Sequence, residues 1–547
     1  MCPETLIYVG ADGNPPVILR DDYHRPLQFP DRSNKNFRRK FIMRKIIALI
    51  LIVTMIFICV SFTSCGNSKN NGGTDNNNTT ATIATDNSGN AATAETTTEK
   101  MLPDVPDADY GGYEFKILLS VNSLLPTMWD DFTAEQETGD TLNDAVYARN
   151  SYIEDKYNIK ITTVPTAVSD NMDRPTAQKM LKNSISAGDH SYDAALLAGY
   201  ATCNLASGGF LMDMNAMPPL DLTKPWWDQA ANRDLMIKNK MFYTTGDISN
   251  VVNEATYAIL FNKKLIQDYG LDDPYALVKN GQWTYSKLVE MGEAVGADLN
   301  GDGKMDANDL FGALVWDDSM MGVVNSIGEK CAKVNDSGEI ELTLNNQRVV
   351  DAFDTYINFA LDKNHALSYQ RNDWDGTNAN IMFNNNQALF YIQIMELVVR
   401  LRAMDVDFGV IPYPKLDTTQ TDYYSTVSSW HSGFVCVPTS QEDATRTAAI
   451  LEAMAAESMY TLKPAYYDIA LKGKYVRDTE SEEMLDLIFS TKIYDLGWMY
   501  QIGGYNEQIM NLFRNNKTDF ASMYDKYNSK ALSDIDKINT AFSQILN

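Results

Sequence analysis

The sequence is short of cations, of histidine and of cysteine. Its 547 residues carry 46 Lys and Arg against 72 Asp and Glu, a formal charge of −26. That imbalance argues against nucleic acid and anionic lipid head groups as partners, because an acidic surface repels polyanions. Only four histidines occur, and no HExxH, GxSxG or phosphate-loop motif is found. The six cysteines form no CxxC pair and no zinc spacing. Cys203, Cys331 and Cys436 are widely spaced and read as small buried hydrophobes, so no disulfide framework is implied. No tandem repeat of 20–50 residues exists, which sets aside solenoids and propellers.

A hydrophobic fraction of 44% and 11% aromatics exclude wholesale disorder. The charge is unevenly spread: residues 1–64 hold nine basic and five acidic residues, which leaves the remainder near −30. Met43-Arg44-Lys45 precedes seventeen uncharged residues, Ile46–Phe62, and then Thr63-Ser64-Cys65. A basic start, an apolar run and small residues before a cut are the parts of a secretory signal. The Cys resembles the lipobox position of bacterial lipoproteins, which makes Cys65 the lipidated residue and 43–64 the signal peptide. Phe62 stands where Leu is usual. A single transmembrane anchor is the alternative, at the short end of what spans a bilayer. Gly66–Lys100 holds eight Asn and nine Thr with Ile83 its one bulky apolar residue, so 65–109 reads as a flexible tether. Residues 1–42 show no periodicity and precede the signal, which predicts that translation begins at Met43.

From Tyr113 onward short apolar runs alternate with helical stretches. Strands are predicted at 113–120, 159–164 and 192–197, with helices at 141–157 and 175–187 between them. This order implies right-handed βαβ units and a largely parallel sheet. An apolar strand at 255–266 running into a basic helix start, a helix at 286–295, strands at 387–391, 408–414 and 433–437, and helices at 444–460 and 522–546 complete the pattern. About 440 residues are too many for one core, so an α/β protein of two lobes is expected.

Five stretches carry a resemblance to the extracellular solute-binding proteins of bacterial ABC importers, in particular the maltodextrin- and oligosaccharide-binding group. They are the lipobox with its tether, TLNDAVYARNSYIEDKYNIKI (141–161), YDAALLAGY (192–200), NEATYAILFNKKLI (253–266), and FNNNQALFYI with DFGVIPYPK (383–415). The resemblance implies a type II periplasmic-binding-protein-like fold, with lobe 1 at 110–255 plus 430–464 and lobe 2 at 256–429 plus 465–547. Hinge strands would cross near Ala255, Trp430 and Pro464. It further implies a monomeric, lipid-anchored capture subunit on the outer face of the cell membrane that hands a carbohydrate to permease subunits and catalyses nothing. Family cleft positions fall near Trp129 and Asp130 after the first strand, Tyr200 after the third, and Glu254 before the crossing. Where the family often has a Trp after the QALFY-like strand, this chain has Gln393-Ile394-Met395; Trp430 or Tyr466 would replace it.

Two further patterns stand on residue chemistry. Asp298, Asn300, Asp302, Gly303, Lys304, Asp306 and Asp309 occupy positions 1, 3, 5, 6, 7, 9 and 12 of an EF-hand-type loop. Alternating carboxylates and an amide, with the Lys304 carbonyl, supply the oxygens a calcium ion takes, and Gly303 allows the sharp turn. Asp309 replaces the usual Glu, and the plain alternative is an acidic surface turn. A structural Ca2+ is the expectation. Trp129, Trp374 and Trp430 lie in polar loops, the first two beside Asp130 and Asp375, an arrangement suited to stacking on a pyranose while carboxylates take its hydroxyls. Core anchoring of each loop is the competing explanation, and Trp226-Trp227 read as packing. A glycosidase using a carboxylate pair, a surface adhesin, and a peptide or other polar ligand remain as alternatives.

Overall fold

The computed structural model describes residues 100–121, 125, 127–166, 176–371, 377–401, 407–471 and 479–545. Trp374 and Asp375 lie outside the described residues, as do Cys65 and the whole of 1–99.

The first sheet is built as the sequence pattern demands. Strand β1 (Tyr113–Leu119) runs into helix α1 (Thr141–Tyr157), strand β2 (Ile159–Pro165), helix α2 (Thr176–Ala187), strand β3 (Ala194–Ala198) and helix α3 (Gly199–Ser207). β1 lies parallel to β2, with Phe115 opposite Ile161, and parallel to β3, with Ile117 opposite Ala194. All five residues of β3 are buried, which explains its unbroken apolar sequence: an interior strand is covered on both faces. Helix α1 starts where Asp140 accepts from the Leu142 and Asn143 amides, and ends where Asn158 turns left-handed at φ 48°.

The second sheet begins after a short crossing. Strand β4 (Tyr257–Asn262) is followed by helix α4 (Tyr285–Glu293), strand β5 (Phe311–Val315), helix α5 (Ser319–Ser326) and helix α6 (Gln347–Leu361). Strands β6 (Ala366–Ser368), β7 (Ala388–Ile394) and β8 (Phe408–Ile411) complete it. The order across the sheet is β8-β4-β7-β5-β6; β5 is parallel to β6 and β7, while β4 is antiparallel to β7 and β8. The apolar stretch 255–266 is therefore not one strand. The Asn262 side chain accepts from the Leu265 amide and opens a helix at Lys263–Tyr269.

Three connections run side by side between the sheets. The outgoing chain passes Ala255-Thr256. The return passes through strand β9 (Ser425–Thr426) and enters strand β10 (Gly433–Cys436), which joins the first sheet antiparallel to β3. The Ser428 amide donates to the Ala255 carbonyl at 2.9 Å, which locks these two together. Helices α7 (Ala444–Ser458) and α8 (Leu462–Leu471) then pack on α1, and helix α9 (Thr479–Ser490) packs on β8. Strand β11 (Lys492–Ile493) pairs with β9 as the third connection. Pro464, near which an exit is expected, falls inside α8, a helix packed on α1. Helices α10 (Tyr505–Arg514) and α11 (Phe520–Ile545) close the chain.

Trp226 and Trp227 are buried, and their indole N–H groups donate to the two oxygens of Glu452 at 3.0 and 2.8 Å. Cys203, Cys331 and Cys436 are free and buried. Among the described residues no helix is long and apolar enough to cross a membrane.

Candidate functional site

Parallel strands place their carboxyl ends, and the loops that follow, on one side of a sheet, where open α/β proteins bind ligands. At the end of β3 the chain turns at once into α3 through Gly199. A Cβ there would sit 2.7 Å from the Ser429 carbonyl oxygen and 3.0 Å from Ser432 Oγ. Only glycine lets the return connection lie against the start of α3, and the Gly199 amide donates to the Ser432 carbonyl at 3.1 Å. The next residue, Tyr200, is half-buried, with its hydroxyl 3.3 Å from Ser429 Oγ.

The second sheet contributes the end of β5, the triplet Trp316-Asp317-Asp318. Asp317 pairs with Arg514 at the end of α10 and accepts from the Asp318 amide at 3.0 Å; its own amide donates to Gln370 Oε1 at 3.0 Å. Arg514 donates through its other arm to Glu507 Oε1 at 2.6 Å. Helix α10 also reaches across to the first sheet, where Asn506 Nδ2 donates to the Tyr200 hydroxyl at 3.1 Å. Tyr200, Ser429, Asn506 and the Asp317-Asp318 turn thus bring together four separate parts of the chain.

The electrostatics confirm how close these groups are. Burial pushes the Tyr200 phenol up to about 12, and the charges of Asp318 and Glu507 add to that against its bonds to Ser429 and Asn506. Burial raises the Asp318 carboxyl, and the neighbouring Asp317 raises it further, while Arg514 opposes. The return connection adds aromatic faces. His431 lies with its ring centroid 4.5 Å from that of Trp430 and 5.9 Å from that of Trp316. Its Nδ1 is 3.0 Å from Ser428 Oγ, and burial, helped by Arg400, drives its pKa down to about 3, so the ring is neutral.

The sequence-derived site residues separate into groups. Tyr200 and Trp430 stand at this junction, both half-buried. Trp129 lies on the short helix Thr127–Asp130 after β1. Asp130 is exposed at its surface; partial desolvation of its carboxyl raises the pKa, and Asp140, just before α1, adds to it. Glu254 and Tyr466 are buried, at 1% and 0% exposed, and Tyr466 sits among the charges of Glu254, Asp131 and Glu396, with its ring 6.2 Å from Phe489.

The acidic loop is folded on its own hydrogen bonds. Asp298 accepts from the Gly301 and Gly303 amides at 2.7 and 2.8 Å, Asn300 from Asp302 and Asp302 from Lys304, both at 2.9 Å. Asp309 is fully buried and accepts from the Leu299 and Asp306 amides at 2.9 and 2.8 Å. Gly303 has φ 78°, the left-handed turn its position requires. Asp306 accepts from the Asn308 amide at 2.9 Å. Among the described residues no three His, Cys, Asp or Glu side chains stand together as a metal site.

Sequence reasoning passed over Asp317, Asp318, Ser429, Asn506, Glu507 and Arg514. One signal was present: Trp316-Asp317-Asp318, directly after β5, repeats the Trp129-Asp130-Asp131 triplet at the short helix that follows β1. The assembled groups offer hydroxyl, amide and carboxylate partners beside aromatic rings, a set suited to a hydroxyl-rich solute.

Residues 133–435, more than half of the chain, match the family described as bacterial extracellular solute-binding protein. No curated protein sequence matches the chain. Among solved structures, a sugar transporter from Rhizobium etli in an open conformation is 12% identical, with a TM-score of 0.51 over 79% of this chain and 99% of that one. UgpB from Mycobacterium tuberculosis in complex with glycerophosphocholine is 14% identical, with a TM-score of 0.51 over 78% and 99%. UspC from the same organism is 15% identical, with a TM-score of 0.50 over 78% and 100%. At these identities the likeness is one of fold, a two-lobed α/β protein.

Proposed function

Since the chain belongs to the bacterial extracellular solute-binding protein family, we propose that it captures a carbohydrate, an oligosaccharide, between its lobes for delivery to the permease of an ABC importer. The observation that carries this reading is the meeting of Tyr200, Ser429 and Asn506 across the two sheets, with Asp318 close to the Tyr200 phenol. A solute bridging groups from both lobes favours the closed arrangement over the open one, which is the signal an importer needs. Aromatic faces at Tyr200 and Trp430 suit the apolar face of a sugar ring, and Trp129 and Asp130, on the short helix after β1, are proposed to join them. Both halves of the cleft come from one copy, which supports action as a monomer.

Support for a lipid anchor at Cys65 comes from the basic start, apolar run and tether in the sequence. The body then works on the outer face of the cell membrane. A thermal-shift screen of mono- and oligosaccharides tests the reading: at least one saccharide is expected to raise the melting temperature, and a screen in which only peptides do so would overturn it.

Calcium is proposed as a structural ion of the Asp298–Asp309 loop, held by Asp298, Asn300, Asp302, the Lys304 carbonyl, Asp306 and Asp309. The spacing and the left-handed Gly303 support it. Calorimetry on chelator-stripped protein is expected to show calcium uptake and a higher melting temperature; absence of both refutes it.

A further inference from the structure

The cleft has more acceptors than its own donors can satisfy. Three carboxylates, Asp317, Asp318 and Glu507, share one guanidinium, Arg514, which is already committed to Asp317 and Glu507. No hydrogen bond reaches the Asp318 carboxylate from any described residue, although the side chain is only half-buried and lies near the Tyr200 phenol. A second, independent observation points the same way. Asn506 is 4% exposed; its amide nitrogen is spent on Tyr200, and its Oδ1 is buried without a partner. An orphaned buried acceptor is costly, a loss that a donor from outside the chain would recover. His431 supplies no charge, because it is neutral.

Resting on the carbohydrate reading above, we propose that the corner formed by Asp318, Glu507, Asn506 and Tyr200 receives an ammonium group, and that the solute is an amino sugar. A primary ammonium carries three donors and one positive charge, which matches unpaired carboxylate and amide oxygens, whereas a neutral hydroxyl brings one donor and no charge. Tyr200 completes the corner with a ring face, the surface on which a cation is also favoured. The raised pKa of Asp318 accords with this: burial and Asp317 outweigh the opposing Arg514, and a bound ammonium would hold the carboxyl ionised.

The test is calorimetric titration of the full folded body with a glucosamine tetramer, an N-acetylglucosamine tetramer, a glucose tetramer and spermidine, repeated on Asp318→Asn. The glucosamine tetramer is expected to bind at least about tenfold more tightly than either neutral tetramer, and Asp318→Asn to abolish that preference. Equal or tighter binding of a neutral tetramer overturns the ammonium assignment and leaves the carbohydrate reading standing. A preference that survives in Asp318→Asn removes it from this corner. Binding of spermidine alone, or of no probe, overturns both. Should Asp318→Asn fail to fold, Glu507→Gln is read in its place with the same outcomes.

Discussion

Glu452 is the most exacting test of the packing in the first lobe. Its carboxylate accepts from the indoles of Trp226 and Trp227 and from the Asp221 amide at 3.2 Å, and it is 1% exposed. Burial raises its pKa from 4.5 to about 7 in spite of those three donors. The folded state therefore binds a proton more tightly than the unfolded chain. The corresponding stability is fully present below pH 4.5 and is lost as pH rises through 7. A shift of that size is worth about 3 kcal/mol across the window. Glu452→Gln removes the titration but leaves one indole N–H facing an amide N–H, an unpaired donor worth roughly 1–3 kcal/mol. Urea unfolding at pH 5 and pH 8 reads both effects. Wild type is expected to be the more stable at pH 5, with that advantage shrinking by about 3 kcal/mol or reversing at pH 8. An offset between the two proteins that stays constant from pH 5 to pH 8 would refute the argument.

Other substitutions probe the hinge and its surroundings. Lys492, on β11, is 2.7 Å from Asp228 and donates to Asn253 at 3.0 Å; burial pushes the Asp228 carboxyl up, and Lys492, together with the bonds from the Ala231 amide and the Tyr494 hydroxyl, more than offsets it. Lys492→Met leaves that carboxylate buried without its cation and is expected to destabilise by about 3–5 kcal/mol in urea titrations. The buried Arg149 of α1 donates to the Asp131 and Ile248 carbonyls and to Ser458, so Arg149→Met should lower stability by a similar ~3–5 kcal/mol. A loss under 1 kcal/mol in either variant would show that these pairs do not hold the lobe. Gly199→Val would drive side-chain atoms onto the Ser429 carbonyl, and a calorimetric titration should show weaker solute binding; unchanged affinity would remove that connection from the site.

Much of the first lobe was legible because its signals are local. The span 141–157 is recovered as α1, its capping Asp140 lying one residue outside it. The second lobe was harder to read. β5 is only five residues, follows directly on the acidic loop, and shows no alternation because every residue in it is buried. Helix α6 was passed over although Val349, Phe353, Tyr356, Ile357 and Ala360 have helical spacing and are buried. The site was legible where a residue directly follows a strand, as Tyr200 does. It was not legible where α10 supplies Asn506 from about three hundred residues further on, since no local pattern encodes that approach. Position beside a crossing likewise does not tell how deeply a side chain is buried, as Glu254 and Tyr466 show.

Small-angle scattering with and without the saccharide that gives the largest thermal shift tests the central claim most directly. Capture between the lobes predicts a smaller radius of gyration at saturation, reversed when the sugar is removed. A saccharide that still raises the melting temperature but leaves the scattering curve unchanged would contradict capture by closure.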